Sequence, residues 1–128
     1  MIILIDTSSV ICKISIIDDN QRQDNDWQSN RMLAKGLLGY INKLLLAKNL
    51  TWSDISAIGV FEGPGSFTGI RIGLTVMNTI ADTQSIPIVG GRGENWQDEV
   101  LEKLKSGKNE KIVLPFYSSE AHITKPRK

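Results

Sequence analysis

The first thirty residues alternate between apolar stretches and turn residues. Residues 2–5 are continuously apolar, and residues 10–17 are rich in β-branched side chains. Both patterns are typical of strands with a covered face. Residues 21–28 are polar apart from Trp27, which suits an exposed edge strand. Because turn residues occupy 18–20, the chain is predicted to open as a three-stranded antiparallel meander.

Helical periodicity and short apolar runs alternate along the rest of the chain. The predicted elements are a helix at 30–48, a strand at 56–61, a helix that follows the 63–73 turn and ends near Thr83, a strand at 86–89 and a helix at 94–106. Ser29 is the predicted N-cap of the first helix. The order β-β-β-α-β-α-β-α predicts an α/β fold in which helices pack on a mixed five-stranded sheet.

The second predicted helix carries more apolar surface than one sheet can cover. Its apolar arc spans roughly 200°, about twice the stripe that a helix on a single sheet requires. Gly69, Gly73, Val76 and Ile80 share one face of this helix. Glycines spaced by four residues permit the close approach of another element, so this helix is expected to pack on two sides.

The first predicted helix has a similar surplus. Its sheet-facing stripe comprises Leu33, Leu37, Tyr40, Ile41 and Leu44. A different face, around Lys43, carries Met32, Gly36, Gly39 and Leu46. Two adjacent helices with surplus apolar faces predict a partner of matching shape. The alternative is that the two helices cover each other.

Length and composition bound the class of protein. The chain has 128 residues, a net charge of +1 and 41% hydrophobic residues, which predicts one globular domain. We expect a lobe at 1–110 and a C-terminal tail at 111–128, with no second lobe. The balanced charge excludes a basic nucleic-acid coat as the main function. Because the chain lacks a basic N-terminal region and an apolar run of about 18 residues, we expect a cytoplasmic protein without membrane contact.

Few residue patterns in the chain point to catalysis. The single cysteine, Cys12, excludes an internal disulfide, and the single histidine, His122, lies near the C-terminus. The glycine-rich turn at 63–73 has neither the lysine of a Walker loop nor the spacing of a dinucleotide fingerprint. The sequence has no clustered metal-ligand motif, so no metal site is predicted.

Two other functions stay open at this stage. Asp6, Thr7 and Ser8 follow the first strand, where actin-like phosphotransferases begin a phosphate-binding hairpin. If these residues and the 63–73 turn bind a phosphate, the protein is a small nucleotide-binding enzyme. The alternative is that Asp6, Thr7 and Ser8 only form a capped turn between two strands. The basic residues within 125–128 allow a weaker alternative, an adaptor that binds RNA phosphates.

Two motifs of the chain resemble one known protein family. Met1–Ser9 reads MIILIDTSS and Ile55–Gly73 reads ISAIGVFEGPGSFTGIRIG, with the first predicted helix between them. They resemble the N-terminal region of TsaB, also called YeaZ, a family of bacterial tRNA threonylcarbamoyladenosine biosynthesis proteins. The run GPGSFTGIRIG matches the hallmark of that family, and the resemblance covers residues 1 to about 105.

The resemblance implies a single actin-like (RNase H-like) lobe and a non-catalytic subunit rather than an enzyme. Such a subunit pairs with the catalytic subunit TsaD and, with a TsaE-like ATPase, serves threonylcarbamoylation of adenosine 37 in tRNA. The resemblance implies no cofactor on this chain, ATP and metal on the partner subunits, a homodimer when alone, and contact with tRNA only through the complex. Typical members continue into a second lobe, so the chain looks like a minimal form of the subunit.

The resemblance also places the partner contact on the first two helices. These helices would form a bundle with the partner, or with a second copy of the same protein. The residues implied are Met32, Gly36, Gly39, Tyr40, Lys43, Gly69, Arg71, Ile72, Gly73, Val76, Met77 and Ile80. The implied location agrees with the surplus apolar faces that the helical periodicity indicates.

Overall fold

A mixed five-stranded sheet forms the centre of the computed structural model, which describes residues 1–116. Its strands are β1 (Ile2–Asp6), β2 (Ile11–Asp18), β3 (Gln21–Gln28), β4 (Ala57–Gly63) and β5 (Ile88–Arg92). The spatial order is β3-β2-β1-β4-β5. The first three strands pair antiparallel, and β1, β4 and β5 pair in parallel. The predicted meander and mixed sheet are therefore confirmed.

Three helices pack on this sheet within the described residues. They are α1 (Leu33–Ala47), α2 (Phe67–Gln84) and α3 (Trp96–Lys105), and a short 3₁₀ turn spans Trp52–Asp54. The crossovers from β3 to β4 and from β4 to β5 contain α1 and α2, which contact each other on one face. On the other face α3 brings Trp96 edge-on to Phe61, with ring centroids 5.6 Å apart.

The first helix begins later than its sequence pattern predicts. It starts at Leu33, and the residue at its N-cap position is Met32, which makes no side-chain capping bond. The prediction that Ser29 caps this helix is wrong, because the buried Ser29 hydroxyl donates instead to the Val10 carbonyl at 3.2 Å. Asn30, with φ of 50°, turns the chain between β3 and α1.

The buried stripe of α1 comprises Leu33, Leu37, Ile41 and Leu45. Leu45 takes the place that the sequence pattern assigned to Leu44, and Tyr40 is only half-buried at the side of the helix. Because its members are four residues apart, the stripe turns gradually around the helix axis. On each side of the stripe lies a flank of α1 that does not face the core. What covers each flank decides which residues of α1 remain available to a partner.

Within residues 1–116, no helix combines the length and the apolar character needed to cross a membrane. The predicted tail residues His122, Lys125, Arg127 and Lys128 lie outside the described residues.

Cys12 lies in the middle of the sheet and is fully buried. Burial, reinforced by the nearby Asp6 carboxylate, raises the pKa of its thiol to about 12. Because Cys12 is the only cysteine in the chain, a thiol reagent reports directly on the opening of the sheet.

We predict that Cys12 reacts with a thiol reagent at pH 8 only when the sheet opens. At that pH a thiol with such a pKa is roughly one part in ten thousand thiolate, and thiolate is the reactive form. Labelling followed by mass spectrometry should be slow in buffer and fast in concentrated urea. Equally fast labelling under both conditions would contradict the buried position of Cys12.

Candidate partner interface

The glycine-rich turn packs against the end of β1. The Thr7 hydroxyl donates to the Gly69 carbonyl at 2.7 Å, and the Ser66 N–H donates to the Ser8 carbonyl at 2.9 Å. The Ser8 N–H in turn donates to the Asp6 carboxylate at 2.8 Å. The turn and the start of α2 are therefore held by hydrogen bonds to the segment that follows β1.

Two glycines of α2 allow this close contact. A Cβ on Gly73 would collide with the Thr7 side chain, and a Cβ on Gly69 would collide with the Thr7 carbonyl. The glycine spacing therefore serves packing within the chain. The implied partner contact at Gly73 is wrong, because Gly73 is buried beneath Thr7. Thr7 also belongs to the segment at 6–8 that the sequence offers as a nucleotide contact. Its hydroxyl is hydrogen-bonded to the Gly69 carbonyl.

Two further α2 residues of the implied interface lie inside the chain. Met77 is fully buried in the core, so its assignment to the partner surface is also wrong. Ile80 is buried as well and exposes only an edge. Ile72 and Val76 are half-buried, and Arg71 is exposed, so these three residues remain at the surface of α2.

One flank of α1 is covered by β3. The rings of Trp27 and Tyr40 stack with centroids 4.8 Å apart, and a Cβ on Gly36 would press against the Trp27 ring. Burial raises the pKa of the Tyr40 hydroxyl, in agreement with this packing. Gly36 and Tyr40, both predicted to contact a partner, are half-buried and contact Trp27 within the chain. The isolated aromatic residue in an otherwise polar strand is the sequence signal for it.

The remaining predicted residues of α1 are exposed but stand apart from α2. Gly39 has open space beside it, Met32 is half exposed, and Lys43 is exposed. All three lie on the outer or β3 side of the helix, away from the flank that faces α2. The structure thus separates them from Ile72 and Val76 instead of bringing them together.

An open groove runs between α1 and α2 on the outer surface. We call it the α1–α2 groove; it is lined by Ala34, Leu38, Trp52, Thr68, Arg71, Ile72, Thr75, Val76, Thr79, Ile80, Thr83 and Gln84. Its two parts, with volumes of about 470 and 300 Å³, share Thr75 and Val76 and so form one continuous surface. Leu38, which is 51% exposed, is its most prominent apolar side chain.

Several residues that line the groove are not among the predicted interface residues. Ala34 and Leu38 lie four residues apart on the flank of α1 opposite Gly36 and Tyr40. The spacing of four residues indicates that Ala34 and Leu38 share one flank of the helix. Gly36 and Tyr40 have the same spacing, so the sequence alone does not select between the two flanks. Only the position of Trp27 decides between the two flanks, since it covers one of them.

The chemistry of the groove suits packing against another protein. Its lining combines aliphatic side chains with threonine, and the Thr79 hydroxyl is already satisfied by the Thr75 carbonyl at 2.8 Å. The lining includes no acidic residue or histidine, and its one charged residue, Arg71, lies with its guanidinium 5.2 Å from the Phe67 ring centroid. Among residues 1–116 no group of His, Cys, Asp or Glu could hold a metal ion. An apolar groove of this kind receives side chains of a partner helix.

Comparison with known proteins identifies the relatives of the chain. The family model for TsaD, the tRNA N6-adenosine threonylcarbamoyltransferase, matches residues 28–90. The TsaB protein of Buchnera aphidicola subsp. Baizongia pistaciae is 31% identical over 69% of this chain, and that of Escherichia coli is 28% identical over 70%. The chain is similar in sequence to the TsaB proteins over about 70% of its length. It spans about two fifths of the length of these curated relatives, 40% and 38% respectively.

Solved structures give the same result for the fold. YeaZ from Pseudomonas aeruginosa superposes with a TM-score of 0.66 at 26% identity, covering 71% of this chain and 43% of YeaZ. A protein from the same organism described as similar to peptidase YeaZ gives a TM-score of 0.67 at 26% identity, over 71% of this chain and 42% of its own. The resemblance to TsaB and the mixed α/β fold class are confirmed.

We predict opposite effects for the two helical glycines Gly73 and Gly39. Gly73→Ala should lower the free energy of unfolding by about 1–3 kcal/mol, because the added methyl group overpacks against Thr7. Gly39→Ala should raise it by up to about 1 kcal/mol, because the site is open and alanine favours helix. Urea denaturation measures both, and equal effects would contradict the internal role of Gly73.

Proposed function

We propose that the chain is a non-catalytic, TsaB-like subunit that pairs with a TsaD-like enzyme through the α1–α2 groove. The complex would carry out threonylcarbamoylation of adenosine 37 in tRNA. The observation that carries this proposal is the groove itself, an apolar surface on the helical face of a TsaB-related lobe with Leu38 half exposed to water. Burying such a surface contributes about 25 cal/mol for each Å² of apolar area, from which the entropic cost of association is subtracted.

The similarity to both TsaB and TsaD supports a partner of the same fold. The TsaD family model spans α1, β4 and α2 of this chain, so a TsaD-like protein is expected to carry a comparable helix pair. Two such pairs can pack as a four-helix arrangement, with the aliphatic residues of each entering the groove of the other. A second copy of this chain presents the same surface, which supports a homodimer when the TsaD-like protein is absent.

The division of chemistry in the complex is what the resemblance to TsaB implies. ATP and metal belong on the partner subunits, a TsaD-like enzyme and a TsaE-like ATPase. The groove of this chain offers an apolar packing surface with the single cation Arg71. Contact with tRNA is made through the complex, and this chain acts by holding the catalytic subunit.

We predict that Leu38→Glu and Val76→Glu each weaken binding to the TsaD-like subunit by at least about thirtyfold, as expected for a central interface residue. Each change places a charge in an apolar groove. Leu46→Glu is the matched control, because Leu46 is 62% exposed on α1 but lies outside the groove. Isothermal titration calorimetry measures the affinities, and circular dichroism checks that each variant is folded. Similar affinities for folded Leu38→Glu and Leu46→Glu would contradict the location of the interface.

We predict that the complete set of subunits forms threonylcarbamoyladenosine in tRNA only when this chain is included. The assay combines tRNA, threonylcarbamoyl adenylate, the TsaD-like enzyme and the TsaE-like ATPase, and detects the modified nucleoside by mass spectrometry. Val76→Glu should reduce product, while Leu46→Glu should not. Product formed by this chain alone with tRNA and the adenylate would contradict a non-catalytic role, and equal product without the chain would contradict any role.

A further inference from the structure

β5 is the last strand at one edge of the sheet, next to α3. A strand at the edge of a sheet normally presents unpaired N–H and C=O groups, which can pair with a strand from another molecule. In β5 the outward-facing groups are the N–H and C=O of Ile88, the N–H and C=O of Gly90 and the N–H of Arg92. Their partners within residues 1–116 decide whether this edge is open.

Each of these outward-facing groups has a partner from α3 or from the segment that follows it. The Ile88 N–H donates to the Asn109 side-chain oxygen at 3.1 Å, and the Glu110 N–H donates to the Ile88 carbonyl at 2.9 Å. The Gly90 N–H donates to the Glu110 carboxylate at 2.7 Å. All these bonds except the one from the Glu110 N–H involve a side chain. The residues that cover the edge therefore do not form another strand with which a further strand could pair.

The same cover extends to the end of the strand. The Lys103 ammonium donates to the Gly90 carbonyl at 2.6 Å, and the Arg92 N–H donates to the Glu99 carboxylate at 3.0 Å. Lys103 lies 3.2 Å from both Glu99 and Glu110, so it links the two acceptors. Burial alone would lower the pKa of Lys103, but the two carboxylates outweigh it and raise that pKa. The ammonium is therefore charged at neutral pH and holds the cover in place.

The residues beyond Glu110 anchor this cover to the rest of the lobe. Val113 is buried, and the Asn78 side chain of α2 makes two hydrogen bonds to its backbone, each of 2.9 Å. Farther along, the Phe116 N–H donates to the Glu62 carbonyl at 2.9 Å. The Arg92 guanidinium lies 4.2 Å from the Phe116 ring centroid and pairs with the buried Glu62 carboxylate at 2.7 Å. Residues 109–116 are thus tied to β4, β5 and α2.

We propose that Glu99, Lys103, Asn109 and Glu110 form an edge latch that keeps β5 from pairing with the β5 of a second copy of the chain. Two copies of one edge strand are self-complementary, because antiparallel pairing about a two-fold axis lets Ile88 and Gly90 exchange bonds with Gly90 and Ile88 of the other copy. The latch occupies those same groups. Pairing through β5 is distinct from pairing through the α1–α2 groove. The proposed latch therefore does not depend on the proposed function.

The test removes the latch in a chain that already carries Val76→Glu, so that association through the groove does not contribute. Lys103→Ala and Glu110→Ala together with Asn109→Ala remove the side-chain bonds to Ile88 and Gly90 without changing the net charge. Lys105→Ala with Glu102→Ala is the matched control, since both residues are exposed on α3 and the charge change is the same. Sedimentation velocity measures mass against concentration, and amide hydrogen exchange is followed at Ile88 and Gly90.

The proposal predicts that opening the latch speeds exchange of the Gly90 amide by about tenfold at low concentration. At high concentration the variant should dimerise, and exchange at Ile88 and Gly90 should slow again. The control should stay monomeric with unchanged exchange. Unchanged Gly90 exchange in the open variant would overturn the latch, and fast exchange in a chain that stays monomeric would overturn pairing with a second copy. Asn109→Ala with Glu110→Ala, a milder change that frees the Ile88 and Gly90 N–H groups, tests their exchange if the triple variant fails to fold.

Discussion

The close contact between Thr7 and the glycine face of α2 sets the geometry on which the rest of the structure depends. Because Gly69 and Gly73 carry no side chain, α2 lies directly on the segment that follows β1, and the Thr7 hydroxyl bonds to the helix backbone. This places the core side of α2 deep in the lobe, with Met77 fully buried. The opposite side of α2 is left to face α1 and solvent, and the α1–α2 groove is the result.

The two flanks of α1 then take different roles. Trp27 reaches from β3 and covers the flank that carries Gly36 and Tyr40. Nothing within residues 1–116 fills the groove on the other flank, where Ala34 and Leu38 face α2. The apolar surplus of the two helices is therefore partly satisfied by the chain itself. The groove holds part of what remains, while Leu46 is exposed outside it. A surface of this size and character is suited to a helix pair of a related protein.

Local sequence patterns predicted the elements and the sheet, while contacts between distant residues decided the site. Apolar runs and turn residues marked the strands, and the glycine-rich hallmark marked the start of α2. The same hallmark does not locate the partner interface, because Gly73 permits close packing equally well inside the chain or against a partner. Ser29 was misplaced as a cap because the left-handed Asn30 delays the helix. The bonds of Asn109 and Glu110 to β5 join residues some twenty positions apart, and no periodic pattern encodes them.

Backbone protection upon binding shows where a partner contacts this chain. Amide hydrogen exchange of the full chain is measured with and without the TsaD-like subunit. We expect added protection in the helical segments that line the α1–α2 groove, around Leu38 and Val76, and no change along β3 at Trp27. Added protection on β3 and the Gly36 flank, with none at the groove, would show that the partner binds elsewhere.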